Sequence, residues 1–361
     1  MSEEKIIEVI ARFRDPVLKN DFASLRFIKN ISLKGKSLSL VIGTSDSSNS
    51  TLSNLKEEIS NTLKAEFQNL DEVVIDFVPT VLEHKNQKKS TIMPGVKNTI
   101  AVASGKGGVG KSTVTVNLAC ALTSLGFKVG IIDADIYGPS VPLMMNLKGK
   151  PSVTKADGKN KLVPMEQYGV EVMSIGFLME EGTAVVWRGP MASSALKQFM
   201  SEVVWGSLDF ILFDMPPGTG DIQLTLSQTL PLTGALIVTT PQEISLADAR
   251  KGYIMFSKVN VPTLGIIENM SYYQKQDGSK DYIFGQGGGQ KMSDEYKVNL
   301  LGEIPINTSI REYGDSGKPI VIADPSSPEA ESFIDIARKF VNEVNLKNNI
   351  TDKIPSLEIE I

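Results

Sequence analysis

The sequence predicts an α/β fold, in which a doubly wound, mostly parallel sheet follows a small N-terminal α+β domain. From residue 99 onward, short continuous apolar runs alternate with helical segments. Continuous apolar strands are typical of a parallel sheet that is buried on both faces. The first 82 residues follow a different order, namely helix, strand, strand, helix and strand. The two patterns together predict two domains in a chain of 361 residues.

The small domain is expected to occupy residues 1–82. Its helices are predicted from apolar residues at helical spacing, and its second strand from alternation of apolar and polar residues. Pro16 is expected to stop the first helix. The predicted elements are a helix in 3–13, two strands in 28–43, a helix in 50–67 and a strand in 72–78.

Residues 83–98 are polar and basic, contain one proline and one glycine, and are predicted to be a linker. His84 lies in this linker and is expected in solvent. The larger domain is predicted to span residues 99–345, followed by a tail at 346–361. Its predicted strands are 99–104, 128–135, 170–176, 210–217, 234–240, 263–270, 300–306 and 319–324. The single low-complexity run is "GQGGGQ" (285–290).

Composition and charge narrow the class of protein. The chain is 41% hydrophobic and 22% charged, as in ordinary globular proteins, and it contains no run of 18 apolar residues. The N-terminus, "MSEEKIIEVI", is charged and periodic rather than like a signal peptide, so we expect a cytoplasmic protein. A net charge of −5 argues against nucleic-acid binding, which needs a basic face.

Soft metal ligands are scarce, because the chain has one cysteine, Cys120, and one histidine, His84. A single cysteine forms no internal disulfide, and the two residues are too few for a tetrahedral zinc site within one chain. Cys120 lies among apolar residues of a predicted helix. A cysteine in that setting is most often a small buried hydrophobic residue.

The strongest motif is "GKGGVGKS" (105–112), which matches the G-x4-G-K-[ST] phosphate loop. It follows a predicted strand and opens a predicted helix. The glycines let backbone N–H groups point at phosphate oxygens, and the helix N-terminus adds partial positive charge. Lys111 is expected to reach the β- and γ-phosphates of ATP, and the Ser112 hydroxyl to bind Mg²⁺. The predicted nucleotide-binding residues of the loop are Gly105, Lys106, Gly107, Gly108, Val109, Gly110, Lys111, Ser112 and Thr113.

A second lysine, Lys106, stands at the front of this loop, where its side chain can project away from its own nucleotide. One interpretation is a contact in trans, in which Lys106 of one copy reaches the phosphates bound by another copy. It would then stabilise charge developing at the γ-phosphate, as an arginine finger does. The other interpretation is a solvated lysine beside a polyanion. The first interpretation predicts a homodimer.

Polar residues also follow other predicted strands. Asp214 ends the apolar run "FILFD" and is expected to hold Mg²⁺ through water, with a helix or turn cap as the alternative. Asn269 follows the sixth strand, where its amide offers a donor and an acceptor to adenine; a turn-forming asparagine is the alternative. Asp133 and Asp135 end the second strand. We expect these two to face different sides and to have different roles.

The loop resembles the deviant phosphate loop of the ParA/MinD-like dimeric NTPases, in which the first lysine crosses the dimer interface. Segments that resemble further parts of this family follow in the same order along the chain. They are "DADIYGPS" (133–140) as switch I, "FDMPPGTGD" (213–221) as switch II, "TTPQ" (239–242) and "ENMS" (268–271). Together with "WRGPM" (187–191) and "YIFGQGGG" (282–289), they resemble the Mrp/ApbC-type ATPases, which are described as iron–sulfur cluster carriers. Residues 1–82 resemble the PaaD-like domain that precedes the ATPase in many members.

The resemblance implies a role for each carboxylate. Asp135 would orient the attacking water, with a helix N-cap as the alternative, and Asp133 would support Mg²⁺ and its water shell. The predicted catalytic residues are therefore Lys106, Lys111 and Asp135, and the predicted Mg²⁺ ligands are Ser112, Asp133 and Asp214. Arg188, in "WRGPM", is given no role.

Many members of this family carry a C-x-x-C pair in the segment corresponding to residues 274–289. Two such pairs across a dimer supply four thiolates to a [4Fe–4S] cluster. This chain has no cysteine in that segment, and Cys120 is its only thiol. The resemblance thus implies ATP and Mg²⁺ as cofactors, and it leaves the ligands of a [4Fe–4S] cluster unassigned.

These observations predict a homodimeric ATPase that acts in iron–sulfur cluster assembly or transfer, with apo iron–sulfur proteins or assembly factors as partners. The alternative is a ParA/MinD-like positioning ATPase, or a scaffold, without a cluster. A membrane-bound positioning ATPase needs a basic amphipathic C-terminal helix, whereas residues 348–361 are acidic and contain a proline. We therefore expect neither a membrane nor a nucleic acid as partner.

Overall fold

The computed structural model describes residues 2–45, 49–85, 92–135, 138–156, 158–178, 189–275 and 277–353. The chain divides into two compact units. One consists of residues up to 82 together with residues from 341 onward, and the other of residues 83–340. Within the described ranges, no helix is long and apolar enough to cross a membrane.

The smaller unit has a three-stranded sheet against which two helices pack. Its elements are α1 (Glu3–Ile10), β1 (Ile28–Lys34), β2 (Ser37–Thr44), α2 (Asn49–Glu66) and β3 (Glu72–Pro79). The central strand β2 is antiparallel to β1 and parallel to β3. Leu38, Leu40 and Ile42 alternate along β2 and are fully buried, so one face of the sheet forms the core. The order of elements is the predicted one.

Asp15, in the "DPVL" segment, is a buried carboxylate that organises the turn after α1. Its Oδ1 accepts hydrogen bonds from the N–H groups of Val17 (3.0 Å) and Leu18 (2.9 Å). Its Oδ2 accepts one from the N–H of Ser45 (2.9 Å), directly after β2. The carboxylate therefore fixes the chain after α1 to the end of the central strand.

The larger unit contains an eight-stranded sheet with the order β15-β12-β11-β4-β10-β5-β9-β8. Neighbouring strands are parallel, except that β8 is antiparallel to β9. Two separate hairpins are formed by β6 with β7 and by β13 with β14. The strands are β4 (Val96–Ser104), β5 (Val129–Asp133), β6 (Val153–Ala156), β7 (Lys159–Leu162), β8 (Met165–Gln167), β9 (Val170–Ser174), β10 (Leu208–Asp214), β11 (Gly234–Thr239), β12 (Thr263–Glu268), β13 (Tyr273–Gln274), β14 (Lys280–Asp281) and β15 (Leu300–Glu303).

Helices lie between successive parallel strands of this sheet and further helices follow β15, which confirms the predicted α/β class. They are α3 (Lys111–Ser124), α4 (Val141–Met144), α5 (Gly189–Ser201), α6 (Asp221–Thr229), α7 (Glu243–Lys258), α8 (Gly288–Tyr296), α9 (Thr308–Asp315), α10 (Ile320–Ala323) and α11 (Pro328–Lys353). Every residue of β5 and of β11 is buried, as their continuous apolar sequences predict.

Polar residues meet at the carboxyl edge of this sheet. The central strands β4, β5, β10, β11 and β12 end in Ser104, Asp133, Asp214, Thr239 and Glu268, all of them buried. The register pairs Asp214 of β10 with Asp133 of β5. Because ligands of such sheets bind beyond the carboxyl ends of the strands, this edge is the candidate site.

The run 319–324, predicted to be a strand, instead forms the short helix α10, so that prediction was wrong. Ile320 and Val321 are buried, and the Val321 N–H donates to Oδ1 of Asn117 in α3 (3.4 Å). A run of six residues is too short for its periodicity to distinguish a strand from a buried helical turn.

His84 is also placed differently from its prediction, because it is buried, with 9% of its surface exposed. Its backbone N–H donates to the Lys97 carbonyl (3.1 Å). Lys97 belongs to β4, which begins at Val96, within the segment predicted to be a linker. The polar composition of residues 83–98 gave no sign that the last residues of this segment already belong to a strand of the sheet.

The second half of α11, from Val341 onward, belongs to the smaller unit. The predicted division instead placed residues up to 345 in the larger domain and residues 346–361 in a tail. Val341 and Val344 are buried there. Asn345 is fully buried, its Oδ1 accepts from the Leu82 N–H (2.7 Å) and its Nδ2 donates to the Thr80 carbonyl (3.1 Å). The asparagine thereby satisfies two backbone groups that follow β3.

Candidate functional site

The phosphate loop connects β4 to α3 and has the shape that its glycines permit. Gly108 and Gly110 have φ angles of +81° and +80°, a left-handed conformation that favours glycine. A Cβ on Gly105 would lie 2.2 Å from the carbonyl carbon of Asp248 in α7. A Cβ on Gly110 would lie 2.2 Å from Nδ2 of Asn269. The loop therefore packs closely against two other parts of the site.

Lys111, the first residue of α3, is held by carboxylates. Its side chain is 6% exposed, and its Nζ lies 2.8 Å from Oδ1 of Asp214 and 3.9 Å from Oδ2 of Asp135. Ser112 Oγ donates to the other Asp214 oxygen, Oδ2, at 2.6 Å. The structure thus brings together four of the residues that the sequence predicted, from segments about 20 to 100 positions apart.

Asp133 is fully buried beside Asp214. Its Oδ2 accepts from Ser174 Oγ (2.9 Å) and its Oδ1 from the Asp135 N–H (3.2 Å). Burial, and then the charge of the Asp214 carboxylate, raise the pKa of Asp133 well above its ordinary value, although Lys111 acts in the opposite direction. Carboxylates crowded around one ammonium, with a serine hydroxyl among them, form a hard oxygen donor set of the kind that suits Mg²⁺.

Asp133 and Asp135 would not face different sides if both belonged to one strand. Residues two apart on a strand share a face, so alternation does not separate them. The separation arises because β5 ends at Asp133. Asp135 lies beyond the strand with its side chain 13% exposed, and it lines the cavity of the phosphate loop. Residues 136 and 137, within the predicted switch I, lie outside the described residues.

Two adjoining cavities open at this edge of the sheet. The first, of about 210 Å³, is lined by the phosphate loop together with Asp135, Ser140 and Pro217. The second, of about 470 Å³, shares Gly110, Thr113 and Met144 with the first. Its other lining residues include five apolar ones, Met270, Phe284, Pro305, Ile306 and Ile310. The remaining described residues of the lining are Gly314 and the polar residues Asn269, Asn307, Thr308, Arg311 and Asp315. A polar pocket joined to a larger apolar one matches the two parts of a nucleotide, its phosphates and its base.

Asn269 connects the two cavities. It is 7% exposed, its Nδ2 donates to the Val109 carbonyl of the phosphate loop (2.8 Å), and its backbone N–H donates to the Thr239 carbonyl (2.8 Å). The contact to Val109 uses one of the two amide hydrogens. One N–H and Oδ1 remain to meet a base.

Lys106 is half-buried, and it is not among the described residues that line the phosphate cavity. Ser104 Oγ donates to its backbone carbonyl (2.9 Å), which fixes the start of the loop. Its proposed contact with a second copy stays a prediction. Arg188, which received no role, lies outside the described residues.

A family model described as ParA, the NUBPL iron-transfer P-loop NTPase, matches residues 95–341. The chain belongs to this family. It is 43% identical to an iron–sulfur cluster carrier protein of Haemophilus influenzae over 98% of this chain and 94% of that one. It is 45% identical to the iron–sulfur cluster carrier protein of Escherichia coli over 88% and 86% of the two chains.

Solved structures support the fold of this NUBPL-type NTPase. A nucleotide-binding protein of Archaeoglobus fulgidus in complex with ADP superposes with a TM-score of 0.58 at 38% identity, over 67% of this chain and 93% of that one. The cell-division ATPase MinD of Pyrococcus furiosus gives a TM-score of 0.51 at 27% identity, over 67% and 97%. The predicted family resemblance is therefore confirmed.

For a member of the iron-transfer family, this chain offers few ligands to a cluster. Cys120 is fully buried in α3, and burial raises the pKa of its thiol to about 12. Among the described residues, no three histidine, cysteine, aspartate or glutamate side chains are grouped to hold a metal ion. The segment where many family members carry a C-x-x-C pair, residues 274–289 here, contains most of the β13–β14 hairpin and a Lys275–Asp281 ion pair (3.4 Å). A thiolate-bound cluster therefore does not fit the residues of this NTPase.

Three polar residues of the site were missed by sequence reasoning. Thr115 Oγ1 donates to Asp214 Oδ1 (2.7 Å), Ser174 donates to Asp133, and Glu268 holds the turn that carries Asn269. Thr115 lies four residues after Lys111, on the same side of α3. Ser174 and Glu268 each end a strand of the parallel sheet. The strand-end rule that identified Asp214 could therefore have found both.

Proposed function

We propose that this chain is a homodimeric ATPase that acts in the cytoplasm in iron–sulfur cluster assembly or in cluster transfer to apo-proteins. The observation that carries the ATPase proposal is the contact of Lys111, Ser112 and Asp214 at one end of the phosphate loop. The partner proposal draws on the family and on the relatives named as iron–sulfur cluster carriers.

Each residue of the site has a proposed role in hydrolysis. Lys111 exchanges its contact with Asp214 for the β- and γ-phosphates, and backbone N–H groups of the loop bind phosphate oxygens. Ser112, Asp214 and Asp133 would hold Mg²⁺, which would supply positive charge next to the phosphates. Asp135 orients the attacking water. Lys106 of one copy stabilises charge on the phosphates bound by the other.

The larger cavity is proposed to hold the adenine. Its apolar walls match the faces of the base, and Asn269 presents an amide N–H and Oδ1 to the base edge. The Archaeoglobus relative, which is a complex with ADP, supports a nucleotide as the ligand. The cluster is then cargo, whose thiolate ligands come from a partner protein, because Cys120 is buried.

The ATPase proposal is tested by Lys111→Ala. We expect ATP affinity to fall by on the order of 100-fold, because a charged group in contact with phosphate is lost. Lys97→Ala is the matched control. Lys97 lies on β4, the strand that precedes the loop, and forms a partly exposed ion pair with Asp209. Isothermal titration with ATP and Mg²⁺ measures both variants. Unchanged ATP affinity in Lys111→Ala would contradict the proposal.

A scaffold or positioning ATPase without a cluster is the second candidate, and the burial of Cys120 favours it. Anaerobic incubation with a cluster-loaded, thiolate-bearing partner protein separates the two, when iron and sulfide are then counted in the recovered complex and in an apo-protein acceptor, with and without ATP. A carrier retains cluster delivered by a thiolate-bearing partner and passes it to an apo-protein in an ATP-dependent manner. A scaffold retains none and transfers none.

A further inference from the structure

Glu268 is a buried carboxylate directly before Asn269. It is fully buried at the end of β12, and its Oε1 accepts from Ser271 Oγ (2.5 Å). Its Oε2 accepts from the backbone N–H of Gly289, the second residue of α8. Because a carboxylate is costly to bury unless its oxygens are hydrogen-bonded, these two donors determine where Glu268 can lie.

The turn after Glu268 forms a wall of the larger cavity, and its backbone is strained. Met270 lines that cavity with a φ of +55°, which is uncommon for a residue other than glycine. The Ser271 N–H donates to the Ile304 carbonyl (2.9 Å), which holds one side of the turn. The hydroxyl of the same serine donates to the Glu268 carboxylate, which ties the end of the turn back to its start. A turn of this kind persists only where its surroundings hold it.

The glycines of "GQGGGQ" explain how α8 reaches Glu268. Gly287 caps α8 with a φ of +70°. A Cβ on Gly288 would lie 2.9 Å from the Pro241 carbonyl oxygen, and one on Gly289 would lie 3.1 Å from Glu268 Oε2. The glycines therefore permit a close approach of backbone to backbone and of backbone to carboxylate. The N-terminus of α8 already binds an internal carboxylate, so this glycine-rich run is not a second phosphate loop.

We propose that Glu268 is a positioning residue for base recognition. It ties the turn at 269–271 to the N-terminus of α8, so that the Asn269 amide stays on the Val109 carbonyl and presents its remaining groups to the cavity. The inference deepens the proposed function and rests on it. It assigns to Glu268 and Gly289 the selectivity for the base, whereas phosphate binding stays with the loop at 105–113.

The test compares ATP with inorganic tripolyphosphate, which contacts the phosphate loop and has no base. Glu268→Gln keeps the shape of the side chain and weakens its hold on the Gly289 N–H and the Ser271 hydroxyl. We expect ATP to bind about tenfold more weakly, with a reduced preference for ATP over GTP and unchanged tripolyphosphate affinity. Gly289→Ala, which pushes α8 away from Glu268, is expected to show the same pattern.

Gly302→Ala is the matched control for general loosening, because its new Cβ would lie 2.6 Å from Ile336 Cγ1 and neither residue is among the described residues that line the cavities. It should leave the ratio of ATP to tripolyphosphate affinity unchanged. Equal losses for both ligands in Glu268→Gln, no loss for ATP, or a selective loss in Gly302→Ala would each overturn the proposal. Failure of the wild-type chain to bind ATP would instead refute the nucleotide function itself, and this inference with it.

Discussion

Thr115 determines how Asp214 faces the site. Its hydroxyl donates to Oδ1, the same oxygen that Lys111 contacts, whereas Ser112 donates to Oδ2. When Lys111 moves to a phosphate, the Thr115 hydrogen bond is the contact that remains on Oδ1. Thr115 is fully buried, so water cannot replace its hydroxyl. We infer that Thr115 keeps Asp214 oriented while Mg²⁺ is bound.

Thr115→Val should therefore raise the Mg²⁺ concentration for half-maximal ATP hydrolysis by about fivefold, the equivalent of about one hydrogen bond. Thr115→Ser keeps the hydroxyl and should remain close to wild type. Thr123→Val is the control, because Thr123 donates to a carbonyl four residues earlier in the same helix and has no part in the site. A Mg²⁺ titration of steady-state hydrolysis measures all three. A shift in Thr123→Val as large as that in Thr115→Val would assign the effect to the helix.

The buried Cys120 thiol should make the free energy of unfolding decrease at alkaline pH. Burial raises its pKa from 9.0 to about 12, so the folded chain keeps a proton that the unfolded chain loses. The stabilisation is complete below about pH 9 and is lost as the pH rises towards 12. Urea unfolding should show wild type losing about 1 to 2 kcal/mol more than Cys120→Ala between pH 7 and pH 10. Equal losses, or rapid alkylation of Cys120 in the native protein, would show that the thiol is accessible.

At the scale of the elements, the sequence predicts those features that depend on neighbouring residues along the chain, such as the phosphate loop and the buried strands. The spacing of Gly105, Gly110 and Lys111 identifies a loop whose backbone conformation depends on its own residues. The strands β5 and β11 were predicted from their apolar residues, because every position in them is buried. The candidate site followed from these strands, since the residue that ends a parallel strand lies at the ligand-binding edge.

Contacts between distant segments were not predictable in this way. Thr115 meets Asp214 across 99 positions, and Ser174 meets Asp133 across 41. Both depend on the strand order β4-β10-β5-β9, which no local pattern contains. The run 319–324 failed as a strand for a related reason: its apolar residues face α3 rather than a neighbouring strand. Burial is visible in the sequence, but the partner that causes it is not.

At the scale of the whole molecule, the proposed function requires that one copy completes the site of another. Lys106 is not among the described residues lining its own phosphate cavity, whereas Asp135 is. In a closed homodimer with two equivalent sites, each site would combine Asp135 of one copy with Lys106 of the other. Substitutions of Lys106 and of Asp135 can then be placed on different copies of the chain.

Lys106→Ala and Asp135→Asn should each bind ATP and hydrolyse almost none. Mixed in equal amounts, they should recover about a quarter of wild-type hydrolysis, because about half of the dimers are mixed and one of their two sites is intact. In that site, Asp135 comes from the Lys106→Ala copy and Lys106 from the Asp135→Asn copy. If Lys106 served its own nucleotide, both sites of a mixed dimer would lack one residue and mixing would restore nothing. Asp135→Asn mixed with Lys111→Ala is the negative control, because both residues serve the nucleotide of their own copy and each site of that mixed dimer lacks one of them. Co-purification of differently tagged copies in the presence of ATP confirms that the mixed dimers form.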